Sequence, residues 1–539
     1  MAKDYRPVDR DQQFLLPPDM RSWLPGDHLV WFVISVVEQL DMARFEARSR
    51  RGGVGRRGFD PRMLLTVLIY AYAMGERSSR QIERLCHTDV AFRIACAGDV
   101  PDHTTIARFR QRHEQALVEV FTDVLGLCAR SGLGKLGTVA IDGTKIAANA
   151  SDEAMRTEKW LREQADRIVS EAQEADAVED ALFGDKRGDE LPAELTDPKT
   201  RAERIRRALA DIEAEKAAEE AERAAAAEAD RAKAQDYEQR LSDPGVDPAD
   251  RRALGRPPRG ADPVAIARMR LERAIARAQG RIDAYAQRLE QATAQGRRPM
   301  GSPALASVED YSYVKRARAA LTAALDKAQQ ASAPAGVEPE RVRCRNITDP
   351  DARPMPTRKG WVTGYNNQLA VSADQLIIAL SVEQNPADNL AFLPMLDKVA
   401  QAADLMAGCG SPYAQLGTVL ADAGYRSQEN ITAPGPDRLI ATGRHRDDAC
   451  RARQEPASGP PPPDASPLEA MDHRLRTPEG QRDYRDRGHL VEGANGQLKD
   501  VIGLRRFARR GLQAVTSELH FAAAVHNILK LFRAQPALA

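Results

Sequence analysis

The stretch at residues 137–151, GTVAIDGTKIAANAS, determines how this chain of 539 residues is interpreted. Its apolar run at 139–141 predicts a buried strand, and Asp142 follows that run directly. A carboxylate at the end of a strand is either an ordinary turn residue or a rigidly held metal ligand. Because the stretch alone does not distinguish these two roles, the interpretation depends on partner acids elsewhere in the chain.

The composition restricts the class of protein. Hydrophobic residues make up 42% of the chain and charged residues 29%, and the formal net charge is zero, so any nucleic-acid signal must be local. Six cysteines without a CxxC pair argue against a zinc ribbon or a disulfide framework. Without an apolar run of about 18 residues or a signal-peptide h-region, we expect a cytoplasmic protein that does not span a membrane.

Residues 1–135 have the pattern of short capped helices. Between 59 and 75, Asp60 is the predicted N-cap, Pro61 the first helical position and Gly75 the stop. A second capped start near Asp102 predicts one long helix after it. Helices joined by such tight turns are typical of a helix-turn-helix arrangement.

The helix after Asp102 carries a group of basic residues. Arg108, Arg110 and Arg112 would contact phosphates or base edges if this were a recognition helix. The alternative is a solvated helix face without a DNA partner.

Residues 152–341 have a different composition, rich in Ala, Glu and Arg, which predicts long helices. An apolar stripe at alternating spacings of four and three runs from Leu271 to Leu289 and predicts helix packing. We expect a helical hairpin or small bundle inserted into another domain. Its charges are expected to form a solvated face, with DNA contact as the alternative.

From residue 342 onwards the pattern changes to strands. The stretch 416–427, LGTVLADAGYRS, is a predicted buried strand that ends at Asp422, and a late predicted helix carries Glu492. Asp142 therefore has two partner acids, one on a second strand and one on a helix. The sequence predicts a mixed α+β fold with a central sheet flanked by helices.

Five blocks of this sequence resemble bacterial insertion-sequence DDE transposases, of the branch with a long helical insert after the first acidic strand. They are YRPVDRDQQFLLPPDMRSWLPGDH (5–28), AIDGTKIAANAS (140–151), NITDPDARPMPTRKGWVTGYNNQLAV (346–371), LADAGYRSQEN (420–430) and YRDRGHLVEGANGQLK (484–499). The resemblance implies a helical DNA-binding domain at 1–135, an RNase H-like catalytic domain at 136–151 and 342–539, and a helical insert at 152–341.

The resemblance also implies which residues act. Asp142, Asp422 and Glu492 correspond to the catalytic acids, which would hold Mg²⁺, with Mn²⁺ as an alternative. Three clustered carboxylates repel one another, and divalent cations both relieve that repulsion and stabilise the attacking and leaving oxygens at phosphorus. Water would first free a 3′-hydroxyl at the element end, and that hydroxyl would then attack target DNA.

The family's Tyr-Arg-Glu-Lys signature corresponds here to Tyr484, Arg487, Glu492 and Lys499. Four residues separate Arg487 from Glu492, where the commonest form has three, which leaves Arg485 as an alternative. Tyr484, Arg487 and Lys499 are therefore expected to contact DNA.

The segment after Lys499 is expected to contact DNA as well. Between 482 and 510 there are eight Lys or Arg residues against four acids, an excess that includes Arg505 and Arg506. The alternative is again a solvated helix face.

The expected partners are double-stranded DNA, both element ends and target, and further copies of this chain in a homo-oligomer on that DNA. A bacterial, nucleoid-associated location follows from these partners. Two alternative functions stay open at this point. One is an RNase H-like nuclease that cleaves without transposing, and the other is an inactive DNA-binding remnant of a decayed element.

Overall fold

The computed structural model describes residues 19–47, 58–165, 197–242, 257–258, 260–297, 302–331, 343–357, 360–443 and 445–538. The chain divides into two compact units. Unit 1 comprises Met1–Thr157 and Cys344–Ala539, and unit 2 comprises Glu158–Arg343. The first family-like block, at 5–28, lies outside the described residues up to residue 18.

Short helices precede the first strand of unit 1. Asp60 accepts a hydrogen bond from the backbone of Arg62 and caps α3, as predicted, and Asp102 caps α6 in the same way. Gly75, beyond the end of α3, has φ +80°, a conformation that favours glycine. These helices are α1 (Leu29–Glu38), α2 (Ala43–Glu46), α3 (Pro61–Ala73), α4 (Ser79–Thr88), α5 (Val90–Ala95), α6 (His103–Arg112) and α7 (Glu114–Arg130).

The prediction of a single long helix after Asp102 is wrong, because the chain turns at His113 between α6 and α7. His113 has φ −113° and ψ 30°, outside the helical range. Its ring centroid lies 4.7 Å from that of Phe109 and 5.3 Å from that of Phe45. Burial of this histidine against two aromatic rings accounts for the corner, which propensity alone does not reveal.

A mixed sheet forms the centre of unit 1, with strands in the order β4-β5-β1-β7-β8 and β6 also paired to β5. A separate two-stranded sheet joins β2 to β3. The strands are β1 (Thr138–Ala147), β2 (Met155–Thr157), β3 (Cys344–Asn346), β4 (Arg353–Thr357), β5 (Gly360–Ser372), β6 (Ile377–Glu383), β7 (Thr418–Ala421) and β8 (Arg438–Ile440).

Strand β1 occupies the middle of this sheet and explains the buried apolar run of the opening stretch. It runs antiparallel to β5 and parallel to β7, and Ile141 pairs with Ala421. The side chains at 139–141 are completely buried. Because β1 and β7 are parallel and Ile141 pairs with Ala421, the next residues, Asp142 and Asp422, lie side by side.

The remaining helices of unit 1 follow the strands. Helix α16 (Pro478–Gly496) is followed directly by a π-helical segment at Gln497–Val501. These helices are α12 (Phe392–Gly408), α13 (Gln428–Thr432), α14 (His445–Gln454), α15 (Pro467–Arg476), α16 (Pro478–Gly496) and α17 (Leu512–Leu538).

One hydrophobic core extends through unit 1. Its buried residues run from Val30 in α1, through the strands, to Leu531 in α17. Tyr72 of α3 meets Phe521 of α17 edge to face, with ring centroids 4.9 Å apart. The core therefore shows no break near residue 135, and the DNA-binding role of 1–135 stays a prediction.

Unit 2 is helical in the ranges that the structure describes. Ala278, in the predicted apolar stripe, packs with Tyr311 and Val314. The helices are α8 (158–165), α9 (Asp197–Ser242), α10 (Pro263–Ala294) and α11 (Ser312–Ala331). Across all the described ranges, none of the helices combines the length and apolarity needed to cross a membrane.

Candidate active site

Asp142 and Asp422 lie next to each other on neighbouring inner strands of the sheet and share a basic partner. An Nη2 nitrogen of Arg487 lies 2.9 Å from Oδ1 of Asp142 and 3.5 Å from Oδ2 of Asp422. Arg487 belongs to α16, so this helix lies against the middle of β1 and the end of β7. The structure thus brings together three residues that are 280 and 65 positions apart along the chain.

Other residues of the same helix bind the same strands. The Tyr484 hydroxyl donates to the carbonyl of Ala421 at 3.2 Å, and the Asn495 amide donates to Oδ2 of Asp142 at 3.4 Å. Lys499, in the π-helical segment, donates to the hydroxyl of Thr144. Three of the four signature residues, Tyr484, Arg487 and Lys499, therefore contact β1 or β7 directly.

Electrostatics in this site disfavour negative charge on the first acid. Burial raises the pKa of Asp142 to about 6; the nearby carboxylates of Asp422 and Asp388 add to this rise, and Arg487 opposes it. Burial likewise lowers the pKa of Lys499 below its ordinary value. A positive group beside the two aspartates would therefore stabilise their ionised forms.

Glu492 lies on the same helix, between Arg487 and Asn495, but its side chain is exposed. Among the described residues, it makes no hydrogen bond or ion pair with Asp142 or Asp422, and no three His, Cys, Asp or Glu side chains are grouped closely enough to hold a metal. The residues of α16 that do reach Asp142 are Arg487 and Asn495. The role of Glu492 stays a prediction.

A further acid of the site, Asp388, lies in the loop between β6 and α12 and was not predicted from the sequence. Three donors converge on its Oδ1 atom: Lys145 at 3.0 Å, Asn366 at 2.8 Å and Gln368 at 2.9 Å. A Cβ atom on Gly143 would lie only 2.5 Å from the same oxygen. The glycine that follows Asp142 thus gives Asp388 room against the strand.

Asp388 is the centre of a buried polar layer that also explains a run of amides within β5. Asn366, Asn367 and Gln368 are completely buried, an unusual placement for side-chain amides. The Tyr425 hydroxyl donates to Oε1 of Gln368, which links the layer to the loop after Asp422. In the sequence, the signal was the apparent conflict between three amides and a buried strand.

The oxygen ligands of this site suit a divalent cation. Asp142 and Asp422 offer carboxylate oxygens, the ligands that Mg²⁺ and Mn²⁺ prefer. A guanidinium nitrogen already lies within 3.5 Å of an oxygen of each, so the site accommodates positive charge between them. Two of the three predicted ligands therefore fit such a cation, and the third is on the adjacent helix.

Comparison with family models matched two segments of the chain. Residues 18–112 match a transposase domain (DUF772), and residues 448–532 match a transposase DDE domain. The two matches support an insertion-sequence DDE transposase. The second match covers α16 with Arg487 and Glu492, whereas Asp142 and Asp422 lie outside both matched segments. No curated protein and no solved structure matched the transposase.

Of the three arginines of α6 expected on DNA, Arg110 has a different role in the transposase. Only 9% of it is exposed, and its guanidinium donates to the carbonyl of Arg77 at 2.8 Å and to the Ser79 hydroxyl. Arg110 therefore holds α6 to the start of α4 and is too buried to reach DNA. Arg112 is exposed, and Arg108 lines an open pocket beside Ser78 and Arg80.

Two more residues expected on DNA have internal partners instead. Tyr484 is bonded to the end of β7 and Arg487 to Asp142 within β1, so in this conformation they organise the acids. Their position inside the site follows from burial, which the signature spacing does not show.

The basic segment LRRFARRG (504–511) is partly exposed and partly bound to the protein. Arg505 and Arg506 are exposed, although Arg505 also pairs with Asp500. Arg509 pairs with Glu114 of α7, and Arg510 donates to the carbonyl of Asn149 at 2.7 Å. Arg510 is exposed as well, so three of the four arginines of this segment lie at the surface.

Proposed function

We propose that this transposase cleaves DNA at insertion-sequence ends and transfers the freed ends to target DNA, with Asp142, Asp422 and Glu492 as the catalytic acids. The observation that carries this proposal is that Asp142, within β1, and Asp422, directly after the parallel strand β7, both lie within reach of Arg487 on the helix of Glu492. Carboxylates on rigid strands are well suited to hold ions for phosphoryl transfer.

The strand arrangement supports an RNase H-like catalytic fold. On one side of β1 lies the antiparallel strand β5, to which β4 and β6 are both paired antiparallel, and on the other side lie two parallel strands, β7 and β8. The first acid lies on the central strand and the second follows its parallel neighbour, as the family resemblance implies. Tyr484, Arg487 and Lys499 against these strands support the branch with the Tyr-Arg-Glu-Lys signature.

The ion would be Mg²⁺, or Mn²⁺, held by Asp142 and Asp422 with Glu492 as the third ligand. When bound, it would supply charge stabilisation to the attacking and leaving oxygens at phosphorus. The chain's own contribution is to fix the two aspartates. Asn495 orients Asp142, and the guanidinium group of Arg487 offsets the charge of both acids.

The reaction has two parts, and both need the DNA to be positioned. Water breaks the phosphodiester bond at the element end and leaves a 3′-hydroxyl, which then attacks a phosphodiester of the target and releases its 3′-oxygen. Lys499 lies beside Thr144, two positions after Asp142 on β1, so its ammonium group is close enough to contact a phosphate next to the scissile bond.

Binding of the DNA flanks would involve exposed basic residues. We assign this role to Arg505 and Arg506 beside the site and to Arg108 and Arg112 on α6, all in unit 1. Two element ends and a target must be held together, which suggests a homo-oligomer on DNA. Such a protein would work in the bacterial cytoplasm, at the nucleoid.

The test is a cleavage and strand-transfer assay in Mg²⁺ with Asp422→Asn and Glu492→Gln. Both variants should lose cleavage and transfer while keeping affinity for end DNA, because the substitutions remove ligand charge and leave the basic surfaces intact. Asp404→Asn, an exposed residue of α12, is the matched control and should react normally. Normal cleavage by Asp422→Asn would refute the assignment, and cleavage by the wild type without transfer would favour a nuclease.

A further inference from the structure

Unit 2 contains a small basic pocket that the catalytic proposal does not use. Arg277, Arg281 and Arg288 lie on one face of α10, at spacings of four and seven residues. Gly280 and Ala284 lie between them, and the segment 302–304 closes the other side. Together they line a cavity of about 220 Å³.

Aromatic rings hold the three guanidinium groups in place. Arg277 lies 5.7 Å from the ring centre of Tyr313, and Arg281 lies 5.8 Å from that of Tyr311. Arg288 lies 5.8 Å from the ring centre of Tyr285 on its own helix. Contacts of this kind restrict the rotation of long arginine side chains, so less conformational entropy is lost when they bind an anion.

Tyr311 also fixes the opposite wall of the pocket. It is only 6% exposed, and its hydroxyl accepts a hydrogen bond from the backbone of Leu305 at 3.3 Å. One buried tyrosine thus positions both Arg281 and the segment beside 302–304. Gly280 contributes open space, since a Cβ atom there would meet nothing within 4 Å.

The charge of unit 2 is concentrated on the two helices that form this pocket. Helix α10 carries six arginines against three acids, and α11 carries four basic residues against one acid. Helix α9, in contrast, carries ten basic residues against twelve acids. The basic excess is therefore local, as expected of a surface that binds an anionic partner.

We propose that this pocket binds a phosphate group of the DNA backbone, an inference that rests on the proposed function. Guanidinium groups bind phosphate oxygens through paired hydrogen bonds, and three fixed guanidiniums around a small cavity suit a single phosphate. The lining offers no extended apolar groove that would favour a peptide. A contact to a phosphate does not recognise the edges of the bases, so it adds affinity without sequence preference.

The experiment compares full-length variants for binding to a fluorescent DNA duplex over a range of salt concentrations, without divalent cations. The triple substitution Arg277→Gln, Arg281→Gln and Arg288→Gln should weaken binding and make the logarithmic salt dependence less steep. We expect the change in slope to be at least that of one phosphate contact, roughly 0.9. The charge-matched control, Arg268→Gln with Arg316→Gln and Lys327→Gln, removes three exposed cations outside the pocket and should leave the slope unchanged.

A second variant separates loss of binding from loss of folding. Replacing the same three arginines by lysine keeps the charges, so the salt slope should return towards the wild-type value. An unchanged slope in the triple glutamine variant would refute the pocket, whereas a wild type that binds no duplex would refute the proposed function itself. Stabilisation of the wild type by inorganic phosphate at matched ionic strength, without any effect of the variants on duplex binding, would refute DNA as the source of the phosphate.

Discussion

Gly143 shows how one residue without a side chain shapes the acidic site. A Cβ atom at this position would lie 2.5 Å from Oδ1 of Asp388 and 2.8 Å from Nε2 of Gln368. Both of those atoms are fixed by other hydrogen bonds, so neither is free to move without breaking the layer beneath Asp142. The glycine is required by packing against Asp388, not by backbone conformation.

We therefore expect Gly143→Ala to displace Asp388 and, through the shared strand, Asp142. Overpacking of this kind costs about 1–3 kcal/mol of stability. Cleavage in Mg²⁺ should fall well below that of Gly137→Ala, the control, whose added Cβ meets nothing within 4 Å. The measurements are thermal unfolding and a cleavage assay on both variants. Equal effects of the two substitutions would contradict the packing explanation.

Residue-level chemistry was only partly predictable from the sequence. The strands that carry or precede Asp142 and Asp422 were predicted from two apolar runs that each lead to an acid, and in the structure these two strands are buried neighbours. Asp388 was missed because an acid in a loop has no periodic pattern, and its importance comes from three donors on other elements. Arg110 was assigned to DNA because charge alone does not show whether a side chain is buried.

At the scale of elements, caps were more predictable than corners. Asp60, Pro61 and Gly75 mark both ends of α3, because capping depends on neighbouring residues. The corner at His113 depends instead on the distant ring of Phe45, and no local rule contains that contact. The buried amides of β5 depend in the same way on distant partners, because Asn366 and Gln368 donate to Asp388, which lies outside the strand.

Helix α17 illustrates an element held by buried polar groups. His526 is completely buried, and its Nε2 atom lies 2.9 Å from the carbonyl oxygen of Gln375. The adjacent Asn527 bonds both the amide and the carbonyl of Ile377, at 3.0 Å and 2.8 Å. The helix is thus joined to the start of the edge strand β6 through polar contacts as well as apolar packing.

These contacts predict how stability depends on pH. Burial lowers the pKa of His526 to about 4, so the unfolded chain takes up a proton on this residue before the folded chain does. The free energy of unfolding should therefore fall as pH decreases from about 6.5 to about 4, by at most roughly 3 kcal/mol from this histidine. His526→Gln keeps an amide donor but does not titrate, so its stability should vary less over this range.

The measurement is urea unfolding at several pH values. His87→Gln changes an exposed histidine of α4 and should give the same pH dependence as the wild type. If His526→Gln showed the full wild-type dependence, the acid sensitivity would have to originate elsewhere.

At the scale of the whole molecule, Glu518 joins the N-terminal helices to the LRRFARRG segment (504–511), which follows α16 along the chain. Its side chain is fully buried and accepts hydrogen bonds from Arg77 at 2.7 Å and from the backbone of Ala508 and Arg509. Arg77 in turn donates to the carbonyls of Gly503 and Arg506. The LRRFARRG segment is therefore positioned by residues from both ends of the chain.

We expect Glu518→Gln to destabilise unit 1 strongly, because a neutral amide would present a donor to groups that are themselves donors. Breaking a buried pair typically costs about 3–5 kcal/mol, whereas an exposed pair contributes about 1 kcal/mol or less. Glu119→Gln, which breaks the half-exposed pair with Arg44, is the control. Chemical denaturation of both variants tests this, and similar losses of stability would contradict a special role for Glu518.

The attachment of unit 2 leads to the last prediction. Thr157 and Cys344 are paired residues at the ends of β2 and β3, and the unit boundaries fall at these same positions. Paired antiparallel strand ends lie close enough for a two-residue hairpin turn. Replacing 158–343 by Asn-Gly should therefore leave a folded unit 1 with one cooperative unfolding transition, because its core is made of its own residues.

The shortened protein should still bind duplex DNA, with a salt dependence at least as shallow as that of the triple Arg277, Arg281 and Arg288 variant, since it lacks that pocket altogether. Circular dichroism, thermal unfolding and the same salt titration measure both outcomes. A wild-type salt slope in the shortened protein would show that unit 2 makes no phosphate contact, and failure to fold would show that the sheet depends on the inserted helices.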